Sequence, residues 1–308
     1  MNRYRPFLIA TLALLSILFF FGGPGYNSPR SYKATWNLGH ILYFALLPLL
    51  VFLHPRLKSL PHRTQTLLII GLTLVIGTLV ELLQYGFTRS PDIHDIYRNL
   101  IGAMVAVVFL MPIKRSIPKF LLNLLCIVVV LMVVSQLVPI AVALIDEHHA
   151  RRDFPTLSDF QTSFQIHRWQ GGADISIANN VGTPGNRALR ADLTTDQYSG
   201  VNLKYFPADW QQYQRLQFRV LNPSPQPLSL TCRIHDEQHA RGIQHYNDRY
   251  NQTYAISQGW NTISINLSEV RKSPHNRPMD LTRIRGIGIF ATRLAHPRTI
   301  YIDDLILW

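Results

Sequence analysis

The sequence predicts an α-helical membrane bundle of about five transmembrane helices, followed by an all-β jelly-roll sandwich. Residues 1–150 contain several long apolar runs without charge, whereas residues 151–308 contain none. The second half instead alternates polar and apolar residues in short runs between turn-forming residues, which is typical of strands. We therefore expect a transmembrane domain over residues 1–146, a charged linker over 147–155 and a sandwich over 156–308.

Five apolar segments in the first half have the composition of membrane spans. The core of a bilayer is about 30 Å thick and takes about 20 apolar residues, with about 17 as a workable minimum. The first segment follows Arg3 and Arg5 and fits either a cleaved signal peptide or an uncleaved anchor. No clear small-x-small cleavage site follows it, which favours the anchor. The segments cover residues 6–21, 38–53, 67–87, 100–113 and 120–145.

The positive charge of the chain is distributed as in membrane proteins. The formal net charge is +12, from 30 Lys and Arg against 18 Asp and Glu. With a cytoplasmic N-terminus, the inner loops hold eight Lys and Arg and the short outer loops hold four, in line with the positive-inside rule. We therefore expect an integral protein of the cytoplasmic (inner) membrane, with the C-terminal domain periplasmic or extracellular. Membrane lipid is an expected partner and nucleic acid is not, because the charges lie in short loops rather than in a basic block.

Polar residues interrupt the apolar spans at one predicted depth, near the outer ends of three helices. Such residues are costly in a bilayer and are often functional. Glu81 and Gln84 are three residues apart, so they share a helix face, and Asp92, Asp95 and Asn99 share another. Two interpretations stay open: a packing network of ion pairs and helix caps, or a functional site. The cluster comprises His40, Glu81, Gln84, Arg89, Asp92, Asp95 and Asn99.

The order of these residues resembles the signature of VanZ-like membrane proteins, which is Glu-x-x-Gln, then Arg, then Asp-x-x-x-Asn-x-x-Gly. That family also has a histidine that opens an earlier span, and His40 matches it, but Trp36 and Asn37 stand where the family has Asp-Lys. The family is named for low-level teicoplanin resistance. The resemblance therefore implies a cell-envelope role connected with antibiotic resistance, and it implies no particular reaction. The matching residues are Glu81, Gln84, Arg89, Asp95, Asn99 and Gly102.

Ten short β-rich runs between residues 164 and 307 predict the sandwich. The runs at residues 259–267, 284–290 and 301–307 resemble the galactose-binding-like jelly-roll domains found in many carbohydrate-binding modules. That resemblance implies the fold and suggests a glycan as ligand, although a fold does not by itself determine a function.

Two stretches of the second half, residues 233–239 and 246–251, combine aromatic rings with planar polar groups. Sugars are bound by this mixture, because rings stack on the apolar sugar faces while Arg, Asp, Asn and His bond the hydroxyl groups. Three interpretations stay open: a hydrogen-bond network that holds a long loop, a ligand-binding site, or a catalytic site. The candidate ligand-binding residues are His235, Asp236, His239, Tyr246, Asp248, Arg249, Tyr250 and Asn251.

Metal binding is expected at most as a minor feature of the sandwich. His235, Asp236 and His239 are metal-ligating residue types, but the sequence places no third strong ligand at regular spacing. Asp303 or Asp304 could join a structural calcium site, which needs three or more oxygen ligands. No other cofactor is expected.

These observations predict a cell-envelope membrane protein whose outer sandwich binds a glycan or a glycan-like component and is anchored by the helical module. One alternative is that the whole chain is a structural partner in a larger membrane complex. The other is a membrane enzyme or carrier that acts on a lipid-linked or phosphorylated headgroup at the outer leaflet. In that alternative Glu81 or Asp95 acts as acid or base and Arg89 engages phosphate. The sequence contains no nucleophile motif, phosphate-binding loop or metalloprotease helix. Whether the protein is an enzyme therefore stays open.

Overall fold

The structure is a computed structural model that describes residues 4–25, 28–85, 92–111, 118–181 and 186–308. The chain forms two compact units, Met1–Val142 and Ala143–Trp308. The first unit is helical, and the second consists mainly of two antiparallel sheets. The predicted order of a helical half followed by a β-sandwich is confirmed.

The helical half contains fewer long helices than the sequence predicted. The helices are α1 (Arg5–Phe20), α2 (Arg30–Val51), α3 (Pro55–Lys58), α4 (His62–Tyr85), α5 (Ile93–Val105), which continues as the π-helical turn Ala106–Leu110, and α6 (Lys119–Arg152). Among the described residues, four of them (α2, α4, α5 with its π-helical turn, and α6) are long and apolar enough to cross a membrane. Helix α1 has 16 residues. At 1.5 Å per residue it measures about 24 Å, less than the bilayer core of about 30 Å. Among the described residues, the expectation of five helices long enough to span is therefore wrong, and four candidates remain.

The outward faces of the long helices are apolar. Leu67 and Val75 of α4 are 70% and 67% exposed, and Leu131 of α6 is 61% exposed. Contact of such side chains with water costs about 25 cal/mol for each Å² of apolar surface. This composition is typical of a surface that faces lipid.

Glycines allow α2, α4 and α5 to approach closely. A Cβ added to Gly102 of α5 would overlap the carbonyl oxygen of Ile41 and would lie 3.0 Å from the backbone nitrogen of Ala45, both in α2. A Cβ added to Gly77 of α4 would lie 2.6 Å from Nδ2 of Asn99 in α5. Small residues at such crossings let short polar side chains from different helices meet.

The second unit is a sandwich of two antiparallel sheets. Its strands are β1 (Thr156–Ser158), β2 (Trp169–Gly171), β3 (Asp174–Asn179), β4 (Arg187–Leu193), β5 (Ser199–Leu203), β6 (Arg215–Asn222), β7 (Leu228–Asp236), β8 (Tyr250–Ile256), β9 (Gly259–Asn266), β10 (Ile284–Ala291) and β11 (Arg298–Leu307), and its short helices are α7 (Glu237–Arg241) and α8 (Leu267–Lys272). One sheet has the order β3-β4-β11-β6-β9, with β1 paired to β11, and the other has the order β2-β5-β10-β7-β8. Apolar side chains from both inner faces form one core, which includes Phe160, Leu189, Trp210 and Phe218.

Two local expectations change in the structure. Residues 164–169 were expected as a strand, but Ser163–Arg168 form a 3-10 helix and β2 begins only at Trp169. The segment 147–155 was expected as a linker, yet α6 continues to Arg152 and makes most of it helical.

A buried ion pair explains why the helix extends so far. Asp146 in α6 accepts hydrogen bonds from Nε and Nη2 of Arg168 at 3.0 and 2.8 Å. The Asp146 and Arg168 side chains are 1% and 2% exposed. Nη1 of Arg168 donates to the carbonyl oxygen of Leu157 at 2.9 Å, which ties the helix end to β1. The partner of Asp146 lies 22 residues further along the chain, so no local pattern shows that the helix end is held here.

Candidate functional site

The outward face of the five-stranded sheet carries planar side chains that lie across glycines. Val201, Ile287 and Cys232 point into the core, so the residues that alternate with them point away from it. Along one row of cross-strand partners these outward residues are Asn202 in β5, Gly288 in β10, Arg233 in β7 and Asn251 in β8. We call this surface the glycine-floored face, and its residues are Tyr198, Gly200, Asn202, Arg233, His235, Arg249, Asn251, Gly286, Gly288 and Phe290.

The glycines leave room for the side chains that cross them. A Cβ added to Gly288 would lie 2.7 Å from Oδ1 of Asn202 and 3.2 Å from Nε of Arg233. A Cβ added to Gly286 would lie 2.5 Å from Cε1 of His235. Glycine inside a strand normally weakens a sheet and often marks a close approach by another group. Here it lets a guanidinium group and an imidazole ring lie flat on the sheet.

An aromatic pair continues the same face. Phe290 of β10 lies across Gly200 of β5, where an added Cβ would overlap Cβ of the phenylalanine. Tyr198, in the loop before β5, contacts Phe290 edge-on with ring centroids 5.9 Å apart. Tyr198 is 63% exposed, so the pair offers an aromatic surface to solvent.

Several polar atoms on this face have no hydrogen-bond partner among the described residues. They are Nδ1 of His235, Nε of Arg249 and Oδ1 of Asn251. A buried polar atom without a partner costs about 1–3 kcal/mol. By contrast, Arg233 is held by a hydrogen bond in which its Nη2 donates to Oδ1 of Asn202 at 2.7 Å.

The electrostatics of the face favour a neutral histidine among cations. Burial, reinforced by the charge of Arg233, lowers the pKa of His235 to about 3, so the ring is neutral near pH 7. Burial also lowers the pKa of Arg249, which interacts with Tyr246 and Tyr198. The Arg249 guanidinium carbon lies 5.4 Å from the centre of the Tyr246 ring, a cation–π arrangement.

Other predicted ligand-binding residues belong to a structural network. Arg277 donates from Nη2 to Asp236 at 2.8 Å and from Nε to Asp248 at 2.7 Å. Asp236 also accepts from the backbone nitrogen of His239 at 3.0 Å. The Tyr250 hydroxyl bonds that of Tyr254 at 2.8 Å, on the side of the strand that faces the core. The structure therefore brings His235, Arg249 and Asn251 to the glycine-floored face, with Tyr246 beside them, while Asp236, His239, Asp248 and Tyr250 hold the loop and core.

The metal sites considered for the sandwich lack the necessary ligands among the described residues. Asp236 accepts from Arg277 and from backbone N–H groups, and among the described residues His235, Asp236 and His239 do not bring three ligand atoms together. Asp303 is buried, and burial raises its pKa to about 6. Its carboxylate accepts from Asn186 and from the backbone of Asp304, and Asp304 itself accepts from Arg219. These partners are donors, whereas calcium requires oxygen ligands.

The polar residues of the membrane half meet between α2, α4 and α5. Nδ1 of His40 lies 2.9 Å from Oδ1 of Asn99, and Nε2 lies 3.5 Å from Oδ2 of Asp95. Asp95 also pairs with Arg98. Oε2 of Glu81 accepts from the backbone nitrogen of Asp92 at 3.0 Å. We call His40, Glu81, Asp95 and Asn99 the buried polar cluster.

The remaining residues of the predicted membrane cluster lie around this centre. Gln84 donates to the carbonyl oxygen of Phe19 at 2.9 Å and so ties α4 to α1. The Asp92 side chain caps α5, accepting from the backbone nitrogen of His94 at 2.9 Å. Arg89 lies outside the described residues.

Several residues of the glycine-floored face were not predicted. Asn202, Phe290 and Tyr198 were not candidates, and Arg233 was noted only as part of a polar stretch. One signal was present in β10, where Gly286, Gly288 and Phe290 occupy alternate positions and therefore share a face. Their significance depends on strands that are distant in sequence, and no local pattern shows this.

Comparisons with known proteins give distant structural likenesses. No protein-family model matches the chain, and no curated protein matches it in sequence. An exo-β-agarase structure matches with 16% identity and a TM-score of 0.41, over 50% of this chain and 24% of the agarase. The family 11 carbohydrate-binding module from Clostridium thermocellum, in complex with a β-1,3-1,4-mixed-linked tetrasaccharide, matches with 16% identity and a TM-score of 0.39, over 49% of this chain and 93% of the module. The CBM22-2 xylan-binding domain from Paenibacillus barcinonensis Xyn10C matches with 16% identity and a TM-score of 0.35, over 49% of this chain and 96% of the domain. These likenesses are too distant to transfer a ligand to this chain.

Proposed function

We propose that the sandwich binds a glycan across the glycine-floored face and that the helical unit holds it at a membrane. One observation carries the proposal. The Arg233 guanidinium group and the His235 imidazole ring lie against Gly288 and Gly286, and Phe290 lies against Gly200 of the adjacent strand, beside polar atoms that have no hydrogen-bond partner among the described residues.

The chemistry of the face suits a sugar chain. Phe290 and Tyr198 supply aromatic surface for the apolar side of a sugar ring. Arg249 and Asn251, whose side chains are partly exposed, carry groups that can hydrogen-bond to sugar hydroxyls. The face is flat and crosses several strands, so it suits an extended chain better than a single compact ligand.

Location at a cell-envelope membrane is part of the same proposal. Among the described residues, four helices have the length and composition to cross a bilayer. The loops between α2 and α4 and between α5 and α6, with their flanks, hold six Lys and Arg, whereas the loop between α4 and α5 holds two, which supports a sandwich outside the cytoplasm. A reporter active only in the cytoplasm, fused after Trp308, should be silent, and strong activity would overturn this orientation.

A glycan panel with neutral and acidic members tests the binding proposal. The full-length protein is used in a detergent without a sugar headgroup, because a glycosidic detergent would compete. Phe290→Ala and Arg233→Ala should each weaken binding about tenfold or more, which corresponds to about 1.4 kcal/mol. Both variants should unfold at nearly the wild-type temperature, because both side chains lie outside the core.

Trp260→Ala is the matched control. Trp260 is an aromatic residue of β9 in the other sheet, where the Arg219 guanidinium carbon lies 4.5 Å from the ring centre. Its loss should leave glycan affinity unchanged. Equal loss of binding in Trp260→Ala and Phe290→Ala would remove the glycine-floored face as the site, and an absence of binding across the panel would contradict the proposal.

A second candidate function follows from the buried polar cluster. Three helices bring His40, Glu81 and Asp95 together in a buried position, and such intramembrane groups are often functional. This arrangement supports a membrane enzyme or carrier for a lipid-linked or phosphorylated headgroup, with Glu81 or Asp95 as acid or base. Glu81→Gln, which is nearly isosteric, should then fold normally and abolish an envelope phenotype. A folded and fully active Glu81→Gln variant would contradict it.

A further inference from the structure

Three helices each bring one metal-ligating side chain to a single point inside the helical unit. One ligand atom from each of His40 on α2, Glu81 on α4 and Asp95 on α5 lies within 4.8 Å of the other two. The three residues are 2%, 4% and 4% exposed. We propose that His40, Glu81 and Asp95 bind one divalent transition-metal ion, such as Zn²⁺ or Mn²⁺. This proposal does not depend on glycan binding by the sandwich.

The hydrogen bond between His40 and Asn99 orients the imidazole ring toward the other ligands. Nδ1 of His40 lies 2.9 Å from Oδ1 of Asn99. Because an amide oxygen only accepts, Nδ1 carries the proton in this bond, and the lone pair of the neutral ring is on Nε2. Nε2 faces Oδ2 of Asp95 at 3.5 Å. Two acceptors opposed at this distance repel each other unless a proton or a metal ion lies between them.

Each proposed ligand also has an outer contact that fixes its position. Asn99 holds His40, the backbone nitrogen of Asp92 donates to Glu81 at 3.0 Å, and Arg98 pairs with Asp95. Protein metal ligands almost always have such outer partners, which set the tautomer of a histidine and the direction of a carboxylate. The three partners all come from α5 and the residue that caps it, so one helix organises the outer contacts of all three ligands.

The donor set indicates the class of metal. One imidazole nitrogen with two carboxylate oxygens suits zinc, manganese or iron(II), whereas calcium and magnesium prefer oxygen alone. Ligand atoms about 2.0–2.2 Å from an ion lie about 3.0–3.6 Å apart. The 3.5 Å separation between His40 and Asp95 already falls in this range. Three protein ligands leave further coordination positions for water or a substrate oxygen.

Cobalt titration of the full-length protein tests the site. Protein purified in detergent is freed of metal with a chelator and titrated with Co²⁺, whose visible absorption reports its ligands, and then with Zn²⁺ as competitor. We expect one equivalent of Co²⁺ per chain, displaced by Zn²⁺. Glu81→Gln and Asp95→Asn should weaken binding by at least about 100-fold, and Asn99→Ala by about 10–100-fold, as for other outer-contact residues.

His94→Ala is the matched control, because His94 is a histidine at the start of the same helix whose side chain is 71% exposed. It should bind Co²⁺ like the wild type. Thermal unfolding in chelator identifies which variants are folded. If the carboxylate variants do not fold, electron paramagnetic resonance of the Cu²⁺-loaded wild type decides, because nitrogen splitting from one imidazole supports the site and its absence contradicts it. The proposal would be overturned by a folded wild type that does not bind one equivalent of Co²⁺, or by a folded Glu81→Gln variant with unchanged affinity. A proton, rather than a metal ion, would then lie between His40 and Asp95.

Discussion

The buried polar cluster and the glycine-floored face use glycine for opposite purposes. In the helical unit, Gly77 and Gly102 bring helices together, so that polar side chains face one another out of contact with solvent. In the sandwich, Gly286 and Gly288 let planar side chains lie across the outer face of the sheet. The first arrangement favours a small ligand such as an ion held between helices, and the second favours an extended ligand laid on a surface.

The largest expected effect concerns a third polar arrangement, the ion pair between Asp146 and Arg168. Like the buried polar cluster it is buried, but it is closed by bidentate hydrogen bonds. In a fragment of residues 143–308, Asp146→Asn should lower the free energy of unfolding by about 3–5 kcal/mol, because it leaves a buried guanidinium without its anion. Urea unfolding measures this change.

The paired apolar replacement is the control for that experiment. Asp146→Leu combined with Arg168→Met should recover much of the lost stability, since apolar substitutes for buried ion pairs are often neutral or better. A fragment that starts at residue 156 should be destabilised like Asp146→Asn. Equal stability of the two fragments would show that the helix end is dispensable for the sandwich.

A pair of glycine substitutions sharpens the comparison within the sheet. Gly200→Ala would place Cβ against the backbone of Ile289 and Phe290, and it should cost about 1–3 kcal/mol of stability by overpacking. Gly288→Ala would meet mainly the side-chain ends of Asn202 and Arg233. It should cost less stability and weaken glycan binding instead. Thermal unfolding and glycan binding are measured on both variants. Equal losses of stability and of affinity in Gly200→Ala and Gly288→Ala would contradict this expectation.

Because its carboxyl group is buried, Asp303 should make the stability of the sandwich fall as the pH rises from about 4 to about 6. Burial raises the pKa of this group to about 6 in the folded state, from about 3.9 when unfolded. Its stabilising contribution is therefore complete below about pH 4 and is lost as the pH rises toward 6. The stability difference between Asp303→Asn and wild type should move by about 1–2 kcal/mol in favour of the variant between pH 4 and pH 7. A difference that is constant with pH would contradict the raised pKa.

The smallest expected effect is the pH response of the glycine-floored face. Because the pKa of His235 is lowered to about 3, the ring stays neutral from pH 5 to pH 8. Glycan affinity should then change less than about threefold over that range, where a histidine near its ordinary pKa of about 6.5 would titrate. A bell-shaped or steep profile that disappears in His235→Gln would show that this ring titrates after all.

The buried polar cluster of the helical unit was more predictable from sequence than the glycine-floored face. Glu81, Asp95 and Asn99 occur at helical spacing in apolar surroundings, so their meeting inside the unit followed from periodicity and depth. The face depends on β5, β10 and β7 lying side by side, although residues 202, 233 and 288 are far apart in the chain. Local pattern therefore identified part of the surface and missed Asn202 and Phe290.

The charged stretches misled the sequence interpretation for a physical reason. Asp236 and Asp248 resemble sugar-binding carboxylates, yet Arg277 pairs with both of them. Asp146 adjoins the segment 147–155, which resembles a solvated linker, yet it is buried against Arg168. In each case the partner lies tens of residues away, and only tertiary structure distinguishes a buried ion pair from an exposed binding group.

The glycines under the face also bear on how such a domain can change during evolution. A larger side chain at Gly288 would meet Asn202 and Arg233 from two neighbouring strands, and one at Gly286 would meet His235, so these positions tolerate little variation while the face is kept. Tyr198 and Tyr246 lie outside the strands and are largely exposed, so they can be replaced without affecting the sheet. Descendants that acquire new ligands should therefore diverge first at these rim tyrosines and retain the glycines beneath.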